Sequence, residues 1–159
     1  MKILLFSPTL QMGGAEKIIS KFYFFLKKQN IDTKIILFNN KKPYFDNKIK
    51  KYDLISLNVE KARFSIIKII KVILREKPDY IFSNQRESNL AISIANNLLF
   101  RRFRIIARVA APLQFSNENL IDKFFFYISK ILNKLFNGII FNSEYTKNSF
   151  LEKFNLKNY

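Results

Sequence analysis

Short apolar runs alternate with longer amphipathic segments along the whole chain. Continuous apolar runs are typical of strands buried on both faces, and they predict strands at residues 2–6, 33–38, 53–57, 78–82, 104–109 and 139–141. The segments between them carry apolar residues at helical spacing, which predicts helices at 15–28, 64–75, 88–100 and 120–136 and a last helix capped by Ser143. In the helix at 64–75, this spacing predicts a buried face of Ile66, Ile67, Ile70, Ile73 and Leu74.

The alternation of strands and helices predicts one α/β domain over residues 1–159. Strands that are apolar throughout indicate a Rossmann-like parallel sheet with helices on both faces. Ligands of such sheets bind at the carboxyl ends of the strands. Those ends are predicted at residues 7–14, 83–87, 109–112 and 142–143.

The first strand is followed by two of the three glycines in the chain, Gly13 and Gly14. Glycine lets a ligand approach the backbone closely, and the helix start behind it favours negative charge. Glu16 and Lys17 occupy the first turn of that helix and are candidate binding residues. The glycine spacings of the dinucleotide fingerprint and of the P-loop are absent, so a plain tight turn and a solvated helix start stay open as alternatives.

Three charged residues are predicted at other strand ends. Arg86 and Glu87 are predicted in a loop after the fourth strand, where they form either a binding pair or a surface ion pair. Arg108 ends an otherwise apolar strand, so it needs a ligand, a partner carboxylate or water nearby.

The amino-acid composition excludes several kinds of catalytic and metal-binding site. The chain has no cysteine and no histidine, which excludes a disulfide scaffold, thiolate metal sites and a histidine base, and no metal site is predicted. With no cysteine and no signal sequence, we expect a cytoplasmic location. The net charge of +16 predicts an anionic partner, although a coding bias toward lysine explains it equally well.

Two basic segments also carry exposed aromatic residues in this prediction. The polar stripe of the helix at 120–136 includes Lys123 and Lys130, with Phe126 among them. Arg101 and Arg102 begin a second basic cluster that continues through Phe103 to Arg104. Aromatic residues among cations predict peripheral contact with an anionic membrane, and the alternative is a core helix with one exposed phenylalanine.

Four segments in the right order together resemble the amino-terminal half of a family 4 glycosyltransferase. They are residues 1–6 (Met-Lys-Ile-Leu-Leu-Phe), 13–17 (Gly-Gly-Ala-Glu-Lys), 77–81 (Lys-Pro-Asp-Tyr-Ile) and 140–146 (Ile-Phe-Asn-Ser-Glu-Tyr-Thr). The resemblance implies a retaining enzyme of the two-domain GT-B architecture. It implies that Gly13 and Gly14 lie against the donor diphosphate and the acceptor, with Glu16 and Lys17 behind them. It also implies that Ser143 opens the last helix of this half and that Arg108 lies near the acceptor.

The resemblance implies transfer of a sugar from a nucleotide-sugar to a cell-envelope glycan acceptor that is lipid-linked, at the inner face of the plasma membrane and without a metal or other cofactor. The family holds the nucleotide mainly through a carboxyl-terminal domain with an E-x7-E motif, which we expect to be absent from this chain. The chain is therefore expected to be inactive alone, as a shortened reading frame, an isolated piece or a subunit of a split enzyme. The alternative is a non-enzymatic basic module that binds membrane or nucleic acid; because nucleic-acid recognition motifs are absent, no nucleic-acid partner is predicted for the enzyme.

Overall fold

The computed structural model describes residues 1–39, 44, 49–59, 65–100, 102–111 and 136–155. Its strands are β1 (Lys2–Ser7), β2 (Asp32–Leu37), β3 (Leu54–Ser56), β4 (Tyr80–Asn84), β5 (Arg104–Val109) and β6 (Gly138–Phe141). Its helices are α1 (Gly14–Lys28), α2 (Ile66–Glu76), α3 (Arg86–Leu98) and α4 (Glu144–Phe154), with a short 3₁₀ turn at Lys51–Asp53 before β3.

The strands form one parallel sheet in the order β3-β2-β1-β4-β5-β6. From β1 the chain moves outward to β3, and it then returns to the other side of β1 to form β4, β5 and β6. The switch point of the topology therefore lies between β1 and β4, where connections leave in opposite directions and open a crevice at the carboxyl ends. The predicted Rossmann-like parallel α/β fold is confirmed.

Helices cover both faces of the sheet, as the continuous apolar strands require. Leu5 packs with Ile19 of α1 in one core cluster, while its neighbour Phe6 packs with Ile73 of α2 and with α3 in the other. Each strand therefore buries alternate side chains against opposite helix layers. None of the helices in the described ranges is both long and apolar enough to span a bilayer.

The connection from β4 to α3 differs from the sequence prediction. β4 continues to Asn84 and α3 begins at Arg86, so Arg86 and Glu87 lie in the first turn of a helix and not in a loop. A single residue, Gln85, makes the turn with a left-handed backbone (φ 78°, ψ 151°). The prediction failed because Ser83 and Asn84 are polar, yet both are fully buried in the sheet.

The amino edge of the sheet is fastened by a buried carboxylate. Glu76, the last residue of α2, forms ion pairs with Lys2 of β1 at 2.6 Å, with Lys34 of β2 at 2.8 Å and with Arg75 at 3.1 Å. Its side chain is only 6% exposed. This arrangement joins α2 to β1 and β2 at the edge opposite the crevice.

Candidate functional site

Hydrogen bonds between side chains link the loops at the carboxyl edge of the sheet. At the switch point, the Asn84 amide donates to the backbone oxygen of Ala15 in α1 at 3.0 Å. Arg108 of β5 donates from Nη1 to Asn84 Oδ1 at 2.7 Å and from Nη2 to Asn142 Oδ1 at 2.8 Å. This network brings the start of α1, Arg108 and the β6–α4 turn together, as the position of the strand ends predicts.

The two glycines are not required by the backbone conformation. Gly13 is extended (φ −170°, ψ 159°), and Gly14 is the first residue of α1, so any residue could adopt either conformation. A side chain added at Gly14 would meet no atom within 4 Å. The alternative of a glycine-dependent tight turn is therefore unsupported, and the open space beside Gly14 faces the uncapped amino end of α1.

Glu16 is half-buried and points back across the loop. Its Oε1 accepts a hydrogen bond from the Gln85 side-chain amide at 2.9 Å, across the switch point. Its carboxylate lies directly against Gly13, in the space that a side chain at Gly13 would fill. Glu16 is therefore fixed within the site, which differs from the solvated helix start that the sequence left open.

Arg108 is a buried cation whose partners are neutral. It is only 5% exposed, and among the described residues no carboxylate forms an ion pair with it. Of the partners that the sequence left open for Arg108, a carboxylate is absent among the described residues, and the amides of Asn84 and Asn142 bind the guanidinium. Burial lowers the pKa of the Arg108 guanidinium below its usual range because a desolvated charge is disfavoured. An anionic ligand would compensate this charge.

The other predicted binding residues occupy less central positions. Lys17, Arg86 and Glu87 are exposed in the first turns of α1 and α3. Ser143 caps α4, since its Oγ accepts a hydrogen bond from the Thr146 N–H at 3.2 Å, and the predicted cap is confirmed. A substrate contact by any of these four remains a prediction.

Sequence reasoning missed three amide residues that build the site: Asn84, Gln85 and Asn142. A signal was present, because an amide follows an apolar run at both places: Asn84 comes two residues after Phe82, and Asn142 comes directly after Phe141. Their partners belong to other strands, however, so local sequence does not reveal what they bind.

Of the predicted membrane residues, the structure describes only Arg102, which is not part of this site. Arg102 is exposed and precedes β5, so it lies at the amino edge, away from the crevice. Arg101, Lys123, Phe126 and Lys130 lie outside the described residues. Within the ranges that the structure covers, no group of three or more acidic residues could hold a metal ion.

The same fold occurs in solved structures of a protein bound to UDP, of a galactosyltransferase and of a UDP-GlcNAc epimerase. HepE from Anabaena in complex with UDP superposes with a TM-score of 0.73 and 16% identity over 96% of this chain and 41% of its own. The lipopolysaccharide outer core galactosyltransferase WaaB gives 0.66 and 16% over 96% and 42%. The UDP-GlcNAc 2-epimerase from Methanocaldococcus jannaschii gives 0.61 and 19% over 96% and 42%.

The chain has the fold of one half of a GT-B enzyme. It spans about two fifths of the length of these neighbours. No family model and no curated protein sequence matches the chain, so the likeness is one of structure alone. GT-B neighbours here include both a transferase and an epimerase, and the fold by itself does not choose between these reactions.

Proposed function

We propose that this GT-B half is the acceptor-side domain of a glycosyltransferase that uses a nucleotide-sugar donor. The observation that carries the proposal is the open space at Gly14, the first residue of the uncapped helix α1. The next residue, Ala15, is hydrogen-bonded to Asn84, which in turn binds the buried cation Arg108. Donors and a cation that converge at a switch point suit a substrate rich in oxygen atoms. The resemblance to family 4 adds retention of configuration to this proposal.

The chemistry follows from the same groups. When a sugar leaves a nucleoside diphosphate, negative charge develops on the phosphate oxygens. A positioned cation such as Arg108 stabilises such charge without reorganising. The chain has no histidine, so the proposed transfer uses neither a histidine base nor, by analogy with the family, a metal ion or other cofactor.

The nucleotide would be bound mainly by a second domain, supplied by the same or another polypeptide. The neighbours in complex with UDP are more than twice as long as this chain, which supports a two-half arrangement. We therefore propose that this half shows no transfer when it is assayed alone.

The acceptor would be a lipid-linked cell-envelope glycan reached from the cytoplasmic face of the membrane. The net charge of +16 supports contact with anionic lipid. Phe100 is 96% exposed beside the exposed Arg102, which gives the membrane-facing proposal an aromatic residue in the described part of the chain.

Ligand-observed NMR tests the acceptor-side role. We expect the chain to bind soluble analogues of lipid-diphosphate-linked sugars and Gly14→Val to lose this binding, because the valine fills the open space. Gly138→Val is the matched control: a side chain at Gly138 also meets no atom within 4 Å, but Gly138 starts β6 at the opposite edge.

Two results would contradict the proposal: equal binding by wild type and Gly14→Val, or no binding of any analogue. If the chain binds anionic vesicles yet no analogue, the non-enzymatic membrane module becomes the better description. Co-expression with a nucleotide-binding half, followed by transfer of labelled sugar, extends the test to activity.

A further inference from the structure

The two adjacent glycines have different surroundings. A side chain at Gly14 would enter open space, whereas one at Gly13 would collide with the Glu16 carboxylate, whose carbon lies 3.1 Å from the position of the added atom. Since neither backbone needs glycine, the surroundings are what distinguish the two positions. Gly13 therefore makes room for the Glu16 side chain, and Gly14 leaves space for a ligand.

The Glu16 carboxylate is held by a neutral amide. The Gln85 amide donates to it at 2.9 Å, and no described lysine or arginine forms an ion pair with it. Gln85 also has a left-handed backbone (φ 78°), which is strained for a residue with a side chain. The preceding residue, Asn84, binds the backbone of Ala15, so Asn84 at the end of β4 and Gln85 after it both contact the first turn of α1.

A fixed carboxylate changes what the start of α1 can bind. Its negative charge already uses the favourable helix end, so a phosphate in the same place would meet a like charge. A ligand hydroxyl, in contrast, can donate to the carboxylate and accept from a backbone N–H. The buried cation for an anionic group is instead Arg108 on β5, which is held by asparagines.

We propose that Glu16 is a specificity-determining residue, positioned by Gly13 and Gln85, that selects sugar hydroxyl groups over phosphate at the start of α1. This rests on the proposed function and divides its site: hydroxyl groups lie beside Glu16, and the phosphate of the same substrate lies toward Arg108.

The direction in which Glu16→Gln changes affinity shows whether hydroxyl groups or phosphate bind at the start of α1. Affinity is measured for a soluble lipid-diphosphate-sugar analogue and for the same diphosphate without its sugar. We expect Glu16→Gln to lower the affinity for the sugar-bearing analogue about tenfold, because a charge-assisted hydrogen bond to the sugar is lost. The affinity for the diphosphate without its sugar should stay within about twofold of the wild-type value. If phosphate binds at the start of α1, Glu16→Gln will instead strengthen sugar-free binding, which would overturn the proposal.

Two further variants test whether Gly13 positions the Glu16 side chain. Glu144→Gln removes the same charge from the first turn of α4, where Glu144 is 81% exposed, and we expect it to change neither affinity. Gly13→Ala should displace the Glu16 side chain and reproduce the Glu16→Gln effect, and the double variant should lose no more than either single one. Additive losses would overturn the assigned role of Gly13.

A readout without ligand separates this inference from the proposed function. The side-chain amide resonance of Gln85 in a ¹H–¹⁵N spectrum should shift in Glu16→Gln and Gly13→Ala and stay unchanged in Gly14→Ala. An unchanged resonance in the first two variants overturns the positioning. If the resonance shifts but the wild type binds neither analogue, the positioning stands while the proposed function and the ligand selection fail.

Discussion

At the amino edge of the sheet a buried carboxylate is surrounded by cations, whereas at the carboxyl edge the charges are held by neutral amides. Glu76 contacts two lysines and an arginine. At the other edge Glu16 is bound by Gln85, and Arg108 by two asparagines. Charges that neutralise each other stabilise the fold, while charges kept apart by amides stay available to a ligand. We therefore interpret the amino edge as structural and propose the carboxyl edge as the one that binds a ligand.

The pKa of Glu76 shows how strongly the amino edge is paired. Burial by itself would raise this pKa, but hydrogen bonds from Lys2 and Lys34 outweigh it and lower the pKa from 4.5 to about 2. At the carboxyl edge, burial lowers the pKa of Arg108 and so disfavours its charged form, and no carboxylate among the described residues compensates.

The largest expected effect is that of Glu76→Gln on stability. Removing the charge leaves Lys34 without its carboxylate partner and Lys2 with only the exposed Asp32, so we expect a loss of about 3 kcal/mol in the free energy of unfolding. Chemical denaturation measures it. Asp32→Asn is the control, since Asp32 is 54% exposed and 3.7 Å from Lys2, and it should cost under about 1 kcal/mol. Equal losses in the two variants would remove the distinction between a buried hub and a surface pair.

The same carboxylate predicts how stability depends on acid. A folded pKa below the unfolded value gives stability that is fully present above pH 4.5 and is lost as the pH falls toward about 2. Wild type should therefore lose stability over this range, and its advantage over Glu76→Gln should shrink. Denaturation curves at several pH values measure both proteins. A constant difference between them down to pH 2 would show that Glu76 is not the titrating group.

Arg108→Gln should separate binding from stability. Removing a desolvated charge while keeping a hydrogen-bond donor should change the free energy of unfolding by no more than about 1 kcal/mol. Affinity for the sugar-free diphosphate analogue should fall about tenfold or more, because a cationic partner is lost. Calorimetry measures both quantities, with Arg102→Gln as the control, since Arg102 is exposed at the amino edge. A large stability loss with unchanged affinity would make Arg108 a structural residue like Glu76.

The amino edge can also be tested as a membrane surface. Phe100→Ser with Arg102→Glu should lower binding to anionic vesicles by about tenfold, since a basic residue near such a surface contributes about 1 kcal/mol. Co-sedimentation at low and high salt measures the change. Arg86→Glu makes a comparable charge reversal at the other edge and should have less effect. If Arg86→Glu has the larger effect, the carboxyl edge is the one that meets the bilayer.

The smallest effect is expected at Ser143. Ser143→Ala removes the cap of α4 and should cost about 1 kcal/mol of stability without changing the affinity for either analogue. Thermal unfolding and ligand-observed NMR measure the two outcomes. A loss of affinity without a loss of stability would return Ser143 to the substrate contacts implied by the family resemblance.

The sequence by itself determined the layers and most of the elements. Continuous apolar runs do not depend on distant partners, so the parallel sheet was predicted, and β5 was predicted with its observed bounds. The Ser143 cap was equally predictable, since a cap bonds the chain three residues ahead.

Tertiary structure decided which apolar face of α2 is buried and which groups meet in the site. Ile69 and Val72 are buried, but Ile67 and Leu74, predicted on the buried face, are 69% and 40% exposed. The apolar arc of α2, opposite Lys68, Lys71 and Arg75, is wide, so the placement of the helix on the sheet decides which of its apolar residues are buried. Likewise, Arg108 meets Asn84 and Asn142 because three strands end side by side, and such neighbours are fixed by strand order and not by local sequence.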